Sequence, residues 1–333
     1  MISITYFVRN IKAGYSIEKS FKPIIEELSN SSNYRINVYH VPCYRANPIS
    51  VIRNIIYIFR HRNRNGINHI TGDIHYGMIG LIGVKSILTI HDLVLIHNCK
   101  NPIKKYIYKI LWFNIPCMIA NKVTCISNAT LDDLTNTIHF RKGKAQVIFD
   151  PVDPIFKPNK KQFNHSMPNI LHIGTNWNKN LARVIEALDG INCHLTIIGP
   201  IDEKTKSLLF SHHIKYTNKQ GLSDKEIVAE YKKCDIVSFP STFEGFGMPI
   251  IEGQSVGRVI LTSNISPMKE ISGGGAYLVN PQSKESIRAG FSTLINNATC
   301  RNQLVEKGNR NKERFSSIKI ANLYKALYKQ VLC

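Results

Sequence analysis

The chain has 333 residues, 43% of them hydrophobic, which is enough for two cored domains and excludes disorder as a general description. Its formal net charge of +20, from 43 Lys plus Arg against 23 Asp plus Glu, implies an acidic partner or surface. Eight Cys with no C-x-x-C pair argue against a disulfide framework or a zinc knuckle and fit a reducing cytosol, and no apolar run reaches the length of a membrane span.

Strand and helix patterns alternate through the first half, as a doubly wound parallel sheet requires. Ile2 to Val8 reads as a strand, and the loop from Arg9 to Tyr15, which contains Gly14, leads into a helix that Ser16 can cap and that runs to Glu27 or Leu28. Further strands are expected at Ile36 to Val41, Ile67 to Ile70 and Ser86 to Ile90. His91 follows the last of these directly, so it stands at the carboxyl edge of the sheet, where it can face a cleft. Ser50 to Arg64 mixes aliphatic and aromatic residues with Arg53, Arg60, Arg62 and Arg64 and holds no acid, which reads as a basic amphipathic helix. Pro102 to Phe113 repeats the theme with Lys104, Lys105, Lys109, Tyr106, Tyr108 and Trp112. Both helices fit either ordinary cover for the sheet with solvated charges or docking on an anionic membrane.

Gln146 to Phe149 leads into Asp150-Pro-Val-Asp-Pro-Ile-Phe-Lys-Pro158, which reads as an interdomain linker. Asn169 to Gly174 opens a second sheet domain. The loop Thr175-Asn-Trp-Asn-Lys179 runs into a helix from Asn180 to Leu188, so the Lys179 ammonium beside a helix amino terminus suits a diphosphate. A strand is expected from Cys193 to Gly199 and a capped helix from Leu222 to Lys233. Asp235 to Phe239 is a short buried strand ended by Pro240, Ser241 and Thr242. In Glu244-Gly245-Phe246-Gly247 the glycines let backbone N–H groups turn toward a ligand, and Met248-Pro249 opens the helix that follows, so an anion is expected there. Glu252 lies eight residues after Glu244, about two helical turns, so both carboxylates can face one cleft. Helices from Ser283 to Asn296 and Thr299 to Arg314 precede a final helix ending at Leu332, and the chain has no D-x-D triplet of the kind that holds a divalent metal against a nucleotide sugar.

Glu244 and Glu252 with seven residues between them resemble the E-x7-E signature of retaining GT-B glycosyltransferases, and Gly257-Arg-Val-Ile-Leu-Thr-Ser263, Pro267-Met-Lys-Glu270 and Gly273 to Val279 continue the resemblance in order. Ser86 to Leu93 is similar to the family's strand-then-His-Asp segment. The resemblance implies an α/β chain of two Rossmann-like doubly wound parallel-sheet domains facing a central cleft. Residues 1–158 would form the acceptor-side domain, 159–315 the nucleotide-sugar domain, and 316–333 a terminal helix crossing back toward the first.

By the same resemblance Lys179, Gly174, Thr175, Gly245, Phe246, Gly247 and Met248 bind the donor diphosphate region, with Thr175 standing where many relatives carry Arg. Glu252 is assigned to the ribose hydroxyls, Glu244 to hydroxyls of the transferred sugar, His91 to the same sugar, and Gly14 and Tyr15 to the acceptor side. The implied reaction moves a sugar with retention from a nucleotide sugar to a saccharide acceptor, lipid-linked in bacterial surface polysaccharide synthesis. No cofactor or metal and no nucleic-acid partner are expected. The implied location is cytoplasmic and peripheral on the inner face of an anionic membrane. A nucleotide-sugar 2-epimerase of similar architecture and a non-catalytic basic binding protein are the alternatives.

Overall fold

The computed structural model describes residues 1–13, 16–139, 141 and 143–333, so the acceptor-side pair Gly14 and Tyr15 lies outside the described residues. The chain divides into two compact units, Met1–Pro151 with Ser316–Cys333, and Val152–Phe315. Residues 152–158 go with the second unit rather than the first because their bonds do. Val152 N–H donates to Phe315 O at 2.8 Å, and Phe156 stands edge-on to Tyr231 at 5.3 Å.

The first unit is built on a six-stranded, wholly parallel sheet with β1 Ile2–Val8, β2 Tyr34–His40, β3 Ile67–Ile70, β4 Ser86–Ile90, β5 Lys122–Cys125 and β6 Ala145–Val147, in the order β2-β1-β3-β4-β5-β6. β3 and β4 are buried at every position, as parallel strands covered on both faces must be. One face packs under Ile58, Trp112 and Phe113, and the other under Phe21, Leu28 and the final helix Ser317–Leu332. That helix belongs to this unit, where it packs against the helix Ser16–Ser29.

Beneath the final helix lies a polar core rather than a wholly apolar one. His69 meets Tyr328 Oη at 2.9 Å through Nδ1 and Thr89 Oγ1 at 2.8 Å through Nε2, and the Tyr6 and Tyr328 hydroxyls are 2.7 Å apart. All four groups are buried and bonded, which is the condition under which such a network adds specificity rather than cost. Burial pushes the His69 pKa down to about 3, so its ring is neutral.

The expected single helix from Pro102 to Phe113 is instead three segments. A helix Pro102–Tyr108, capped by Asn101, widens into π geometry over Lys109–Asn114 and resumes as Ile115–Ile119. Pro116 is the physical reason. It lacks an N–H for the carbonyl four residues back and its ring would clash there, so the turn expands and Ile115 N–H bonds to Ile110 O. The carbonyl so bypassed, Trp112 O, accepts from His75 Nδ1 at 3.0 Å.

The second unit carries β7 Asn169–Ile173, β8 His194–Ile198, β9 Lys215–Lys219, β10 Ile236–Phe239, β11 Val259–Ser263 and β12 Tyr277–Val279, all parallel, in the order β12-β11-β10-β7-β8-β9. Its core is filled by Ile170, Val184, Leu195, Ile236, Leu261 and Phe291. The helix Asp224–Lys233 that feeds β10 opens with a capping box, Ser223 receiving Glu226 N–H and returning its own to the Glu226 carboxylate at 2.8 Å.

Candidate active site

β7 and β10 are neighbours at the centre of the second sheet, yet the chain proceeds from β7 to one side and from β10 to the other. The crevice at the carboxyl ends of such a pair is where ligands bind in open α/β sheets. The two loops that leave those ends carry the donor residues expected from sequence.

After β7, Gly174 adopts φ +88°, and a Cβ there would stand 3.0 Å from the Lys179 side chain, so glycine lets Lys179 fold back across the loop. A single 3-10 turn, Trp177–Lys179, ends at Asn180 in the left-handed region with φ 64°, a conformation asparagine tolerates. Its amide donates to Pro240 O at 3.0 Å and Pro281 O at 2.7 Å. Asn178 ties the loops from the other side, accepting from Thr242 N–H at 2.8 Å and donating to Phe243 O at 2.9 Å and Glu244 Oε1 at 3.1 Å. The Lys179 ammonium, held by these turns, meets Glu244 Oε1 at 2.7 Å and lies 4.8 Å from the centre of the Phe239 ring. Thr175 packs its side chain against Gly199.

After β10, Gly247 with φ +116° caps the helix Met248–Val256 with no side-chain cap of its own, so the first-turn N–H groups lack the usual side-chain acceptor. Phe246 is buried edge-on to Phe315 at 5.8 Å, which anchors the loop between the two glycines. Glu252, half-buried in the same helix, accepts a hydrogen bond from the Tyr231 hydroxyl at 2.5 Å. Burial first, and the Glu252 charge second, push the Tyr231 pKa well up, so the phenol remains a donor. Under Lys179, His172 is fully buried on β7 with Nδ1 3.4 Å from Ser238 Oγ, and burial together with the Lys179 charge lowers its pKa to about 3.

In the first unit, His91 follows β4 as expected. Its Nε2–H donates to Thr71 O at 2.8 Å, its own carbonyl accepts from Thr130 Oγ1 at 3.2 Å, and its Nδ1 faces Asp150 Oδ2 at 3.8 Å. Both ring nitrogens are therefore directed at groups of the same unit.

Sequence reasoning gave Lys179 and Glu244 separate partners, whereas the structure joins them as an ion pair. It missed Asn178, Asn180, Tyr231 and Asp150. The available signal for the asparagines was their alternation through Asn176-Trp-Asn-Lys-Asn180 beside a helix start. A pocket of about 330 Å³ opens at the opposite edge of the second sheet, lined by Lys161, Arg258 and Arg301 among others. There Arg258 and Arg301 are engaged by backbone carbonyls of Tyr231, Lys232, Leu294 and Ile295, so they cap chain ends rather than wait for an anion.

The sequence model described as Glycosyl transferases group 1 matches residues 155–311. An uncharacterized glycosyltransferase MJ1178 of Methanocaldococcus jannaschii is 24% identical over 316 residues, covering 89% of this chain and 84% of that protein. The O-antigen chain mannosyltransferase RfbU of Salmonella typhimurium is 22% identical over 219 residues, covering 62% of this chain and 60% of that protein. Among solved structures, Anabaena Alr3699/HepE in complex with UDP and glucose superposes with a TM-score of 0.77 at 12% identity, covering 99% of this chain and 100% of that one. Residues 155–311 thus match the glycosyl transferases group 1 model, and the two parallel six-stranded sheets are those of the GT-B fold.

Proposed function

We propose that this chain is a retaining, metal-independent glycosyltransferase that moves a sugar from a nucleotide sugar to a lipid-linked saccharide acceptor in bacterial surface polysaccharide synthesis. The observation that carries this reading is the meeting of Lys179 and Glu244 beside the uncapped start of the Glu252 helix, at the switch point of the second sheet. Breaking a glycosyl phosphate bond builds positive charge on the sugar and negative charge on the departing diphosphate. Lys179 and the N–H groups from Gly245 to Met248 answer the second charge, and the Glu244 carboxylate accepts hydrogen bonds from sugar hydroxyls. For this division of labour the ion pair opens as the diphosphate arrives, Lys179 exchanging one anion for another. Glu252, oriented by Tyr231, can accept two hydrogen bonds from a ribose. The mannosyltransferase name of one relative and the UDP of one structural neighbour support a nucleotide-sugar donor.

Nucleoside diphosphates and nucleotide sugars should raise the melting temperature of the wild-type protein, since a ligand bound to the folded state stabilises it by mass action. Glu252→Ala should then weaken nucleotide diphosphate binding by about 1 to 3 kcal/mol, the scale of leaving polar partners unpaired, with the fold intact. Unchanged affinity in that variant would remove Glu252 from the ribose. Product stereochemistry by NMR tests retention, and turnover that stops on chelation and returns with added divalent ion would overturn the metal-free part.

Membrane docking belongs to the same reading. The helix Pro48–His61 buries Asn54 and Ile58 but leaves Ile49 65%, Ile52 56%, Ile56 45% and Phe59 49% exposed, an apolar stripe at helical spacing with Arg53 and Arg60 beside it. Ile103 and Tyr106 are 71% and 65% exposed on the helix Pro102–Tyr108. No helix among the described residues is long and apolar enough to cross a membrane. Arg62 stacks on Phe59 and donates to Gly80 and Ile82 carbonyls, so it is a poor choice for a charge test. Changing Arg53, Arg60 and Arg64 to Gln should cut co-sedimentation with anionic vesicles by tenfold or more, each basic group contributing about 1 kcal/mol near such a surface. Equal binding to neutral vesicles would make these helices plain cover for the sheet.

A further inference from the structure

Asp150 stands at the end of the first unit's sheet segment, where the sequence reads as linker, yet its side chain is only 6% exposed. The Ser20 hydroxyl bonds to it, and its Oδ2 lies 3.8 Å from His91 Nδ1. On the far side of the imidazole, the Thr71 carbonyl can only accept, so Nε2 carries a hydrogen. The tautomer is thereby fixed, and Nδ1 is left facing the carboxyl. Two arrangements suit that pair: a charged ring beside a carboxylate, or a neutral ring whose Nδ1 lone pair faces a protonated carboxyl. Each leaves one proton on the pair, either on Nδ1 or on Asp150, across a gap of 3.8 Å. A neutral ring beside a carboxylate would set a lone pair against a buried negative charge.

We propose that Asp150 is the positioning residue of His91: its buried carboxyl holds the ring against Thr71 and stores the proton that sets the ring's charge. The proposal rests on the reading that His91 acts on the transferred sugar. The other titratable groups facing the pair reinforce the assignment. His69 and His75 lie close enough to feel the His91 charge, and each is kept neutral by burial, with pKa values lowered to about 3 and about 4. Tyr324 on the final helix feels Asp150 and remains a protonated phenol, its pKa pushed up chiefly by burial. Phe21 covers the ring edge-on at 6.3 Å. Of these neighbours Asp150 is the one whose carboxyl faces a ring nitrogen of His91.

Asp150→Asn tests this, because the amide can still approach Nδ1 but holds neither charge nor an exchangeable acid proton. Turnover should fall tenfold or more with nucleotide diphosphate affinity within twofold of wild type, and the pH profile of turnover should lose the limb set by the shared proton. Combining it with His91→Ala should cost nothing beyond His91→Ala alone, for which a loss of about a hundredfold is expected from a positioned polar group. Wild-type turnover and an unchanged pH profile in Asp150→Asn would overturn the proposal. If His91→Ala itself turns over normally, the reading of His91 fails instead, and the two failures are distinct. Should Asp150→Asn not fold, carbon-13 NMR of the Asp150 carboxyl in otherwise native protein decides. Its titration should move to higher pH in His91→Ala, and an identical titration with and without the imidazole would overturn the pairing.

Discussion

Replacing Glu244 with alanine should reduce turnover by about a hundredfold to a thousandfold, the scale for losing one preorganised polar contact to the reacting centre, while nucleotide diphosphate affinity holds or rises. The two halves of that expectation come from the same pair of atoms. Lys179 Nζ and Glu244 Oε1 are 2.7 Å apart with side chains 20% and 13% exposed, so the ammonium enters a diphosphate complex only by giving up a charge-assisted hydrogen bond. Without the carboxylate, that competition disappears, and the phosphate gains what Glu244 relinquishes. The contacts to the transferred sugar have no substitute. Lys179→Ala should behave in the opposite sense, with diphosphate affinity falling and Glu244 left without its cation. Isothermal titration with the nucleoside diphosphate against single-turnover rates with the full donor separates the cases. A Glu244→Ala protein that loses affinity and turnover in equal measure would place Glu244 on the diphosphate side and sink the assignment.

The second large effect is on stability. His69 and His75 are buried in the first unit with pKa values lowered to about 3 and about 4, in both cases mainly by burial. Their unfolded value is near 6.5, so between those limits the unfolded chain binds protons that the folded unit refuses. Stability therefore falls as pH drops through 6.5 and stops falling on their account below the folded values. At roughly 1.4 kcal/mol per pH unit for each ring, lowering the pH from 6 to 4.5 should cost the first unit on the order of 4 kcal/mol. Asp150 opposes this in direction, since burial raises its carboxyl and the folded state takes up its proton early. Hydrogen exchange of β3 and β4 amides at the two pH values measures the change, and His69→Gln should remove nearly half of the dependence. A flat response across that window would show that these rings are hydrated or charged in solution.

Much of this architecture is legible in the chain itself. β4 follows from a short, mainly apolar and β-branched run, whereas β3, Ile67-Asn-His-Ile70, is buried at every position although its two central residues are polar. β9 escapes such reading because Lys215-Tyr-Thr-Asn-Lys219 is polar and half-exposed at the sheet edge, and its pairing with β8 supplies the order its composition does not. The helix from Pro102 failed for a local reason, a proline whose effect falls a full turn upstream of itself. In the site, glycines and charged residues were visible because their types are restricted by backbone conformation and chemistry. Tyr231 and Asp150 were not, because what makes them matter is burial beside a partner distant in sequence, Glu252 in one case and His91 in the other. A motif records spacing along the chain and is blind to contacts made across it.

The final helix belongs to the first unit, although the whole of the second unit precedes it in the chain. Synthesis therefore delivers every strand from β7 to β12 before Tyr328, the hydroxyl partner that Tyr6 and His69 share, has been made. Until Tyr324 and Tyr328 emerge, one face of the first sheet presents His69, Thr89 and Thr124 with their side chains lacking the phenols that complete the network. The last sixteen residues of helix thus act as a closing stitch, and the unit that begins first is the one completed last.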